Sequence, residues 1–187
     1  MLKKYLTCKK RIEHSISTCR EMVRFAPKFS LNKNHAKIAG LYHDLARDLD
    51  ADKILKFAEK FEYKPDKYEL EYKTLLHGAA SCYLLKKEKI GNDKIYNAVL
   101  KHTIPEKKMT MMEKLLYVID FAEPKRNYPE AKIAYDLLSK DLDHALFYVV
   151  KTVIGYLLDE NNMIHPRSIE LYDEMILKGG YHGKIDY

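Results

Sequence analysis

Apolar residues recur at three- and four-residue intervals along almost the whole chain, and strand-like alternation is absent. That spacing commits the chain to helices that each bury one face. It predicts an all-α bundle of about eight or nine helices. Helices are expected near residues 3–25, 34–49, 51–62 and 70–88. Asn92 reads as the N-cap of a helix through His102. Thr110 with Glu113 reads as a capping box for a helix to Ala122, stopped by Pro124. Pro129 suits a first turn, and Asp141 caps a long helix to about Asn161. Pro166 opens a last helix that Gly179-Gly180 closes. With 7 glycines, 6 prolines and no polar linker, residues 1–187 read as a single domain.

Hydrophobic residues make up 47% and charged residues 32%, a globular rather than a disordered balance. No apolar run approaches the roughly 18 residues needed to cross a bilayer, so no membrane partner is expected. The basic start, Met1 to Leu6, has no apolar stretch behind it, and no secretory signal is expected. Cys8, Cys19 and Cys82 are scattered and odd in number, which reads as reduced thiols in a cytoplasmic protein. The net charge of +6 favours anionic partners, although a lysine-rich surface also serves solubility alone. The lysines are spread out rather than blocked into an arm, which argues against nucleic acid.

The 8 histidines are many for this length, and four stand in order with two aspartates: His14, His43-Asp44, His77, His102 and Asp120. Imidazoles and carboxylates are donors for iron, manganese, zinc or nickel. Six of them suffice for two metals if one carboxylate bridges. On a helix, His43 and Asp44 lie opposite the stripe of Ile38, Leu41, Tyr42, Leu45 and Leu49. His102 shares the stripe of Ile95, Ala98 and Val99 and should point inward. Asp120 sits at the margin of Leu115, Leu116 and Ile119, and His77 lies beside Leu70 and Leu84. His14 lies opposite the stripe of Tyr5, Cys8, Ile12, Ile16, Cys19 and Val23, so periodicity places it in solvent. Any one of these residues alone is more often structural; the ordered set carries the signal.

The stretch Ala39-Gly40-Leu41-Tyr42-His43-Asp44-Leu45-Ala46-Arg47 resembles the segment that names HD-domain phosphohydrolases. Further pieces resemble the YqeK subfamily of symmetrical bis(5'-nucleosyl)-tetraphosphatases: Arg11 to Ser15, Leu75 to Gly78, His102-Thr103, Met109-Thr110 with Glu113-Lys114, and Asp120 to Arg126. The resemblance spans roughly residues 8–175. It departs at Arg47, where lysine is usual, at Ile104-Pro105, where a glycine is usual, and at Ile119, where alanine is frequent. The resemblance implies an HD-domain fold and hydrolysis of diadenosine tetraphosphate to two ADP. It implies two iron ions, with His14, His43 and Asp120 on one, His77 and His102 on the other, and Asp44 bridging. Asp44 and Arg47 are the implied catalytic residues.

Such a substrate carries about four negative charges on its bridge, which two metals and nearby arginines would neutralise. Arg11, Arg47 and Arg126 are the candidate phosphate contacts, and Thr103 can donate a hydrogen bond. Met163 to Ile169 resembles a region near base and ribose, which makes His165 and Arg167 candidate nucleotide contacts. Other HD activities (a nucleotidase or a cyclic-nucleotide phosphodiesterase), a non-catalytic nucleotide-binding regulator and a basic RNA-associated protein are the competing readings. The assembly is left open, a homodimer being one option.

Overall fold

A computed structural model describes residues 1–179. Eleven α-helices follow one another among them: α1 (Leu2–Tyr5), α2 (Lys9–Phe25), α3 (Lys33–Tyr42), α4 (Ala51–Lys60), α5 (Lys67–Glu71), α6 (His77–Lys87), α7 (Asp93–Lys101), α8 (Met111–Ala122), α9 (Pro129–Leu138), α10 (Leu142–Asp159) and α11 (Pro166–Gly179). Two 3₁₀ turns, Ala26–Phe29 and Lys73–Leu76, complete the set. The chain is all-helical as expected, with more helices than the periodicity counts. The excess is short: α1 has four residues and α5 five. Gly180, expected to help close the last helix, lies outside the described residues. No helix among the described residues is long and apolar enough to cross a membrane.

Several local expectations hold. Asn92 accepts from the Ile95 amide at 3.2 Å and Asp141 from the His144 amide at 2.9 Å. The Thr110–Glu113 capping box closes in both directions, and Pro129 and Pro166 open their helices.

Three expected helices are divided, the first two where a side chain claims backbone groups. The first, near 3–25, breaks at Leu6 to Cys8. There the Asp48 carboxylate accepts the amides of Thr7 and Cys8 at 2.7 and 2.8 Å and opens α2 afresh. The second, near 34–49, ends at Tyr42. The Ala46 amide donates to Ser81 Oγ at 3.0 Å instead of to Tyr42, and residues 43–49 continue as tight turns such as Arg47 N to Asp44 O, 2.9 Å. His43 and Asp44 therefore sit just beyond α3, not on a helix face. The third, near 70–88, becomes α5, a 3₁₀ turn and α6.

α8 runs through the middle, touching α2, α3, α7, α9 and α10. Its Leu115, Leu116, Val118 and Ile119 are fully buried. A second apolar cluster joins Ile54 and Ala58 of α4 to Ala79, Ala80 and Leu84 of α6. α2 turns the face opposite to the one its apolar stripe predicts. It buries His14, Ser15, Ser17, Thr18, Met22 and Phe25 and leaves Ile16 37% exposed. The cause is a close crossing with α3 at Gly40. A Cβ there would stand 2.9 Å from Cys19 Cα and Met22 Cγ. Only small side chains such as Ser15 and Thr18 fit so tight a contact, so the polar face of α2 goes inside.

Candidate metal centre

The tight crossing of α2 and α3 carries His14 inward against His43. α6 begins with His77, His102 follows the last residue of α7, and Asp120 stands near the end of α8. All four histidines are buried, His43 completely. Contrary to the periodicity, His14 is only 8% exposed.

The outer ring nitrogens are all engaged. Nδ1 of His43 lies 2.9 Å from Gly40 O, Nδ1 of His77 2.6 Å from Thr74 O, and Nδ1 of His102 2.6 Å from Val99 O. Nδ1 of His14 lies 3.0 Å from Glu123 Oε1. Carbonyls and carboxylates only accept, so each Nδ1 carries a proton and donates it. In the neutral ring each Nε2 then has a lone pair directed inward. These lone pairs face one another in two pairs, His14 with His43 at 3.2 Å and His77 with His102 at 3.0 Å. Two lone pairs so close repel unless a positive charge lies among them. The donor set thus fits metal ions, with every imidazole oriented from behind as metal-bound histidines are.

The carboxylates complete the pattern. Asp120 Oδ1 is 2.8 Å from His14 Nε2 and 3.4 Å from His43 Nε2. Asp44 faces both pairs. Its Oδ1 is 3.0 Å from His77 Nε2 and 3.5 Å from His102 Nε2, and its Oδ2 is 3.8 Å from His43 Nε2. Two overlapping groups, His14-His43-Asp120 and His43-Asp44-His102, bring one donor atom each within 4.8 Å of one another.

The electrostatics agree. Burial favours the neutral acids, yet the neighbouring imidazoles hold Asp44 and Asp120 well below the usual carboxylate range. Burial also opposes a charged His14, but hydrogen bonds to Asp120 and Glu123 outweigh it and raise its pKa to about 9. At His77 burial prevails, with help from His102 and Arg47, and its pKa is lowered.

A cavity of about 550 Å³ opens onto the centre and is walled by Lys10, Arg11, Arg47, Thr103 and Arg126 as well as the metal-type donors. Arg126 donates to Asp120 O at 2.8 Å and to Asp120 Oδ1 at 3.0 Å. Arg11 Nε pairs with Asp48 Oδ1 at 2.8 Å. Arg47 NH1 reaches to 3.4 Å from Thr74 O and 3.1 Å from the His77 ring. Thr103 forms the wall between this cavity and an apolar slot of about 200 Å³, where Leu75, Ile104, Val153 and Met163 line the interior.

His165 also lines that slot. Its Nε2 is 2.8 Å from Asp66 Oδ2, and its Nδ1 accepts from the Arg167 amide at 3.2 Å. Arg167 is not brought to either cavity. Its guanidinium is held by Glu69 at 3.2 Å, Asp66 at 3.3 Å and Glu106 at 3.6 Å. Asp66, Glu69 and His165 form a third group with metal-type spacing, but this guanidinium already supplies the positive charge there.

Glu123, read in the sequence only as part of the Asp120 to Arg126 resemblance, was given no role in the centre. It is 1% exposed and fixes the His14 ring. Its signal was present, since it stands three residues after Asp120 and beside a helix-stopping proline.

Fold and donor set together define a class, the all-helical proteins built around a His/Asp metal centre. The HD domain family model matches residues 11–145, and the chain belongs to this family. It is an HD-domain hydrolase. It is 26% identical to the symmetrical bis(5'-nucleosyl)-tetraphosphatase of Bacillus subtilis (strain 168) over 89% of each chain. It is 24% identical to the protein of the same name from Halalkalibacterium halodurans over 95% of each. A solved structure from Clostridium acetobutylicum, described as a predicted HD superfamily hydrolase involved in NAD metabolism, superposes with a TM-score of 0.89 at 29% identity. That match covers 95% of this chain and 94% of the other.

Proposed function

We propose that this protein hydrolyses diadenosine tetraphosphate symmetrically: one water is added, the central phosphoanhydride breaks, and two ADP leave. One observation carries the reading. Four inward imidazole nitrogens form two pairs, and Asp44 turns one oxygen toward each. His14, His43 and Asp120 would hold one metal, His77 and His102 a second, and Asp44 would bridge. Iron is the metal that the YqeK resemblance implies, and the donor set also suits manganese, zinc or nickel. When bound, two such ions supply an activated water and neutralise phosphoryl oxygens.

The chain's own groups do the rest. Arg47 and Arg126 flank the cavity and would cover the bridge oxygens that the metals leave bare. Arg11 with Lys10 would extend this grip toward the rim. Thr103 stands where phosphate and nucleoside would meet, and its hydroxyl can donate to a phosphate oxygen. One nucleoside would enter from the apolar slot, beside His165. Both His165 nitrogens are engaged, so that contact would be made by the ring's carbon edge or face. Arg167 would act only indirectly, by holding Asp66 and Glu106 beside the slot. We assign residues 1–187 to one HD unit and place it in the cytoplasm, in keeping with its free thiols.

Chromatography of the products tests the reading. Two ADP from diadenosine tetraphosphate is the expected result, whereas AMP plus ATP, or turnover of nucleoside monophosphates alone, would replace it with another HD activity. Asp44→Ala should lower turnover by at least about a thousandfold, because both metals lose their shared ligand. A fully active, metal-replete variant contradicts the assignment.

A further inference from the structure

A second groove of about 670 Å³ lies between α8, α9 and α10, and shares Val153 of α10 with the apolar slot. Its walls are Phe121, Tyr128, Gly155 and Tyr156, with Glu130 and Asp159 among them. Through Tyr128 it adjoins the cleft that holds His14. Phe121 follows Asp120 directly, and Tyr128 also lines a cleft of about 420 Å³ where Lys10, Lys125 and Arg126 outnumber Glu13 and Glu123 beside His14. Tyr128 thus stands between the cleft beside His14 and the aromatic groove.

We propose that this groove binds the second nucleoside of a dinucleoside polyphosphate. The inference rests on the substrate reading above and adds a site to it. A polyphosphate running outward would lie along Lys10, Lys125 and Arg126, and its terminal nucleoside would reach the aromatic walls. Tyr128 is ready to stack. Its hydroxyl donates to Phe121 O, and its ring meets Phe121 edge-on at 5.2 Å between centroids, so the ring is held while 37% of the residue stays exposed. Tyr156 is 61% exposed, so its ring is open to a ligand in the groove. Gly155 leaves the floor open, since a Cβ there would meet nothing within 4 Å. Glu130 and Asp159 repel phosphate, so they direct the uncharged end of the ligand inward. There they accept hydrogen bonds from base amino groups or ribose hydroxyls. The groove's volume falls within the roughly 300–1,000 Å³ of small-molecule sites.

The test compares diadenosine tetraphosphate with adenosine 5'-tetraphosphate, which has a single nucleoside. Tyr156→Ala should lower the ratio of kcat/KM for the first to that for the second by about tenfold, through KM, as expected for loss of one base stack. Gly155→Leu, which fills the groove, should shift the ratio in the same direction. An unchanged ratio in both variants overturns the site. So does a dimer by sedimentation velocity that Tyr156→Ala converts to monomer, because a second copy of the chain would then occupy the groove. A wild-type protein inactive on both compounds contradicts the substrate reading itself, and the nucleoside site falls with it.

Discussion

At His14 the ring nitrogen turned away from the centre is held by a buried carboxylate, that of Glu123. At His77 and His102 the same nitrogen is held by the main-chain carbonyls of Thr74 and Val99. The first half of the centre also has Asp120 to itself, and the second half has only its share of Asp44. The charge surroundings follow suit. His14 is raised to about 9, because its carboxylates outweigh burial, whereas burial and the nearby Arg47 keep His77 low. If metals bind, the first half would meet one with a carboxylate of its own, and the second with only its share of Asp44. The difference teaches that equivalent ligands in a sequence pattern need not make equivalent sites. The groups behind the ligands set the strength of each half, and those groups are harder to read.

The largest effect that would sharpen this contrast belongs to Glu123. Glu123→Ala frees the His14 ring and should weaken metal binding by about 10- to 100-fold, with metal content falling from two ions toward one. Equal loss from both halves, read by metal analysis of the purified variant, would erase the distinction. Gly40→Ala comes next. Its new Cβ meets backbone of α2 at 2.9 Å and must push that helix outward. A loss of about 1–3 kcal/mol is expected, seen as a fall in Tm, with His14's half disturbed more than His77's. A variant as stable as the parent would mean that the crossing is looser than its geometry.

The smallest effect lies on the other side, at Asp66, the cap of α5 just ahead of His77. Burial raises its pKa, but the Glu69 amide and His165 outweigh this and hold it below the usual value. A depressed carboxyl stabilises the fold fully above its unfolded pKa, and that contribution fades as pH falls through the folded value. Asp66→Asn keeps the capping oxygen and removes the charge. Its Tm should be about 1–3 °C lower at pH 7, with the gap closing below about pH 4. A gap that persists in acid would assign the effect to packing.

How much of this was legible in the sequence depended on how each helix packs. His102 was read correctly as inward because α7 packs by ordinary apolar residues, Ile95, Ala98 and Val99, and shows them in its periodicity. His14 was misread for the opposite reason. α2 packs through Ser15 and Thr18 against Gly40, and small polar residues at a tight crossing leave no hydrophobic stripe. Only the family resemblance placed His14 in the site. The end of α3 was hidden because the Ala46 amide bonds to Ser81, a partner 35 residues away. Arg167 was read as a nucleotide contact through the family resemblance of Met163 to Ile169. Its three carboxylate partners come from distant segments that no local pattern connects.

The paired donors make the most direct test a count and location of metal ions. Anomalous diffraction from crystals grown with manganese should show two peaks about 3.5–4 Å apart, one beside His14, His43 and Asp120, the other beside His77 and His102, with Asp44 between them. A single peak, or peaks gathered at Asp66, Glu69 and His165 instead, would contradict the two-metal centre.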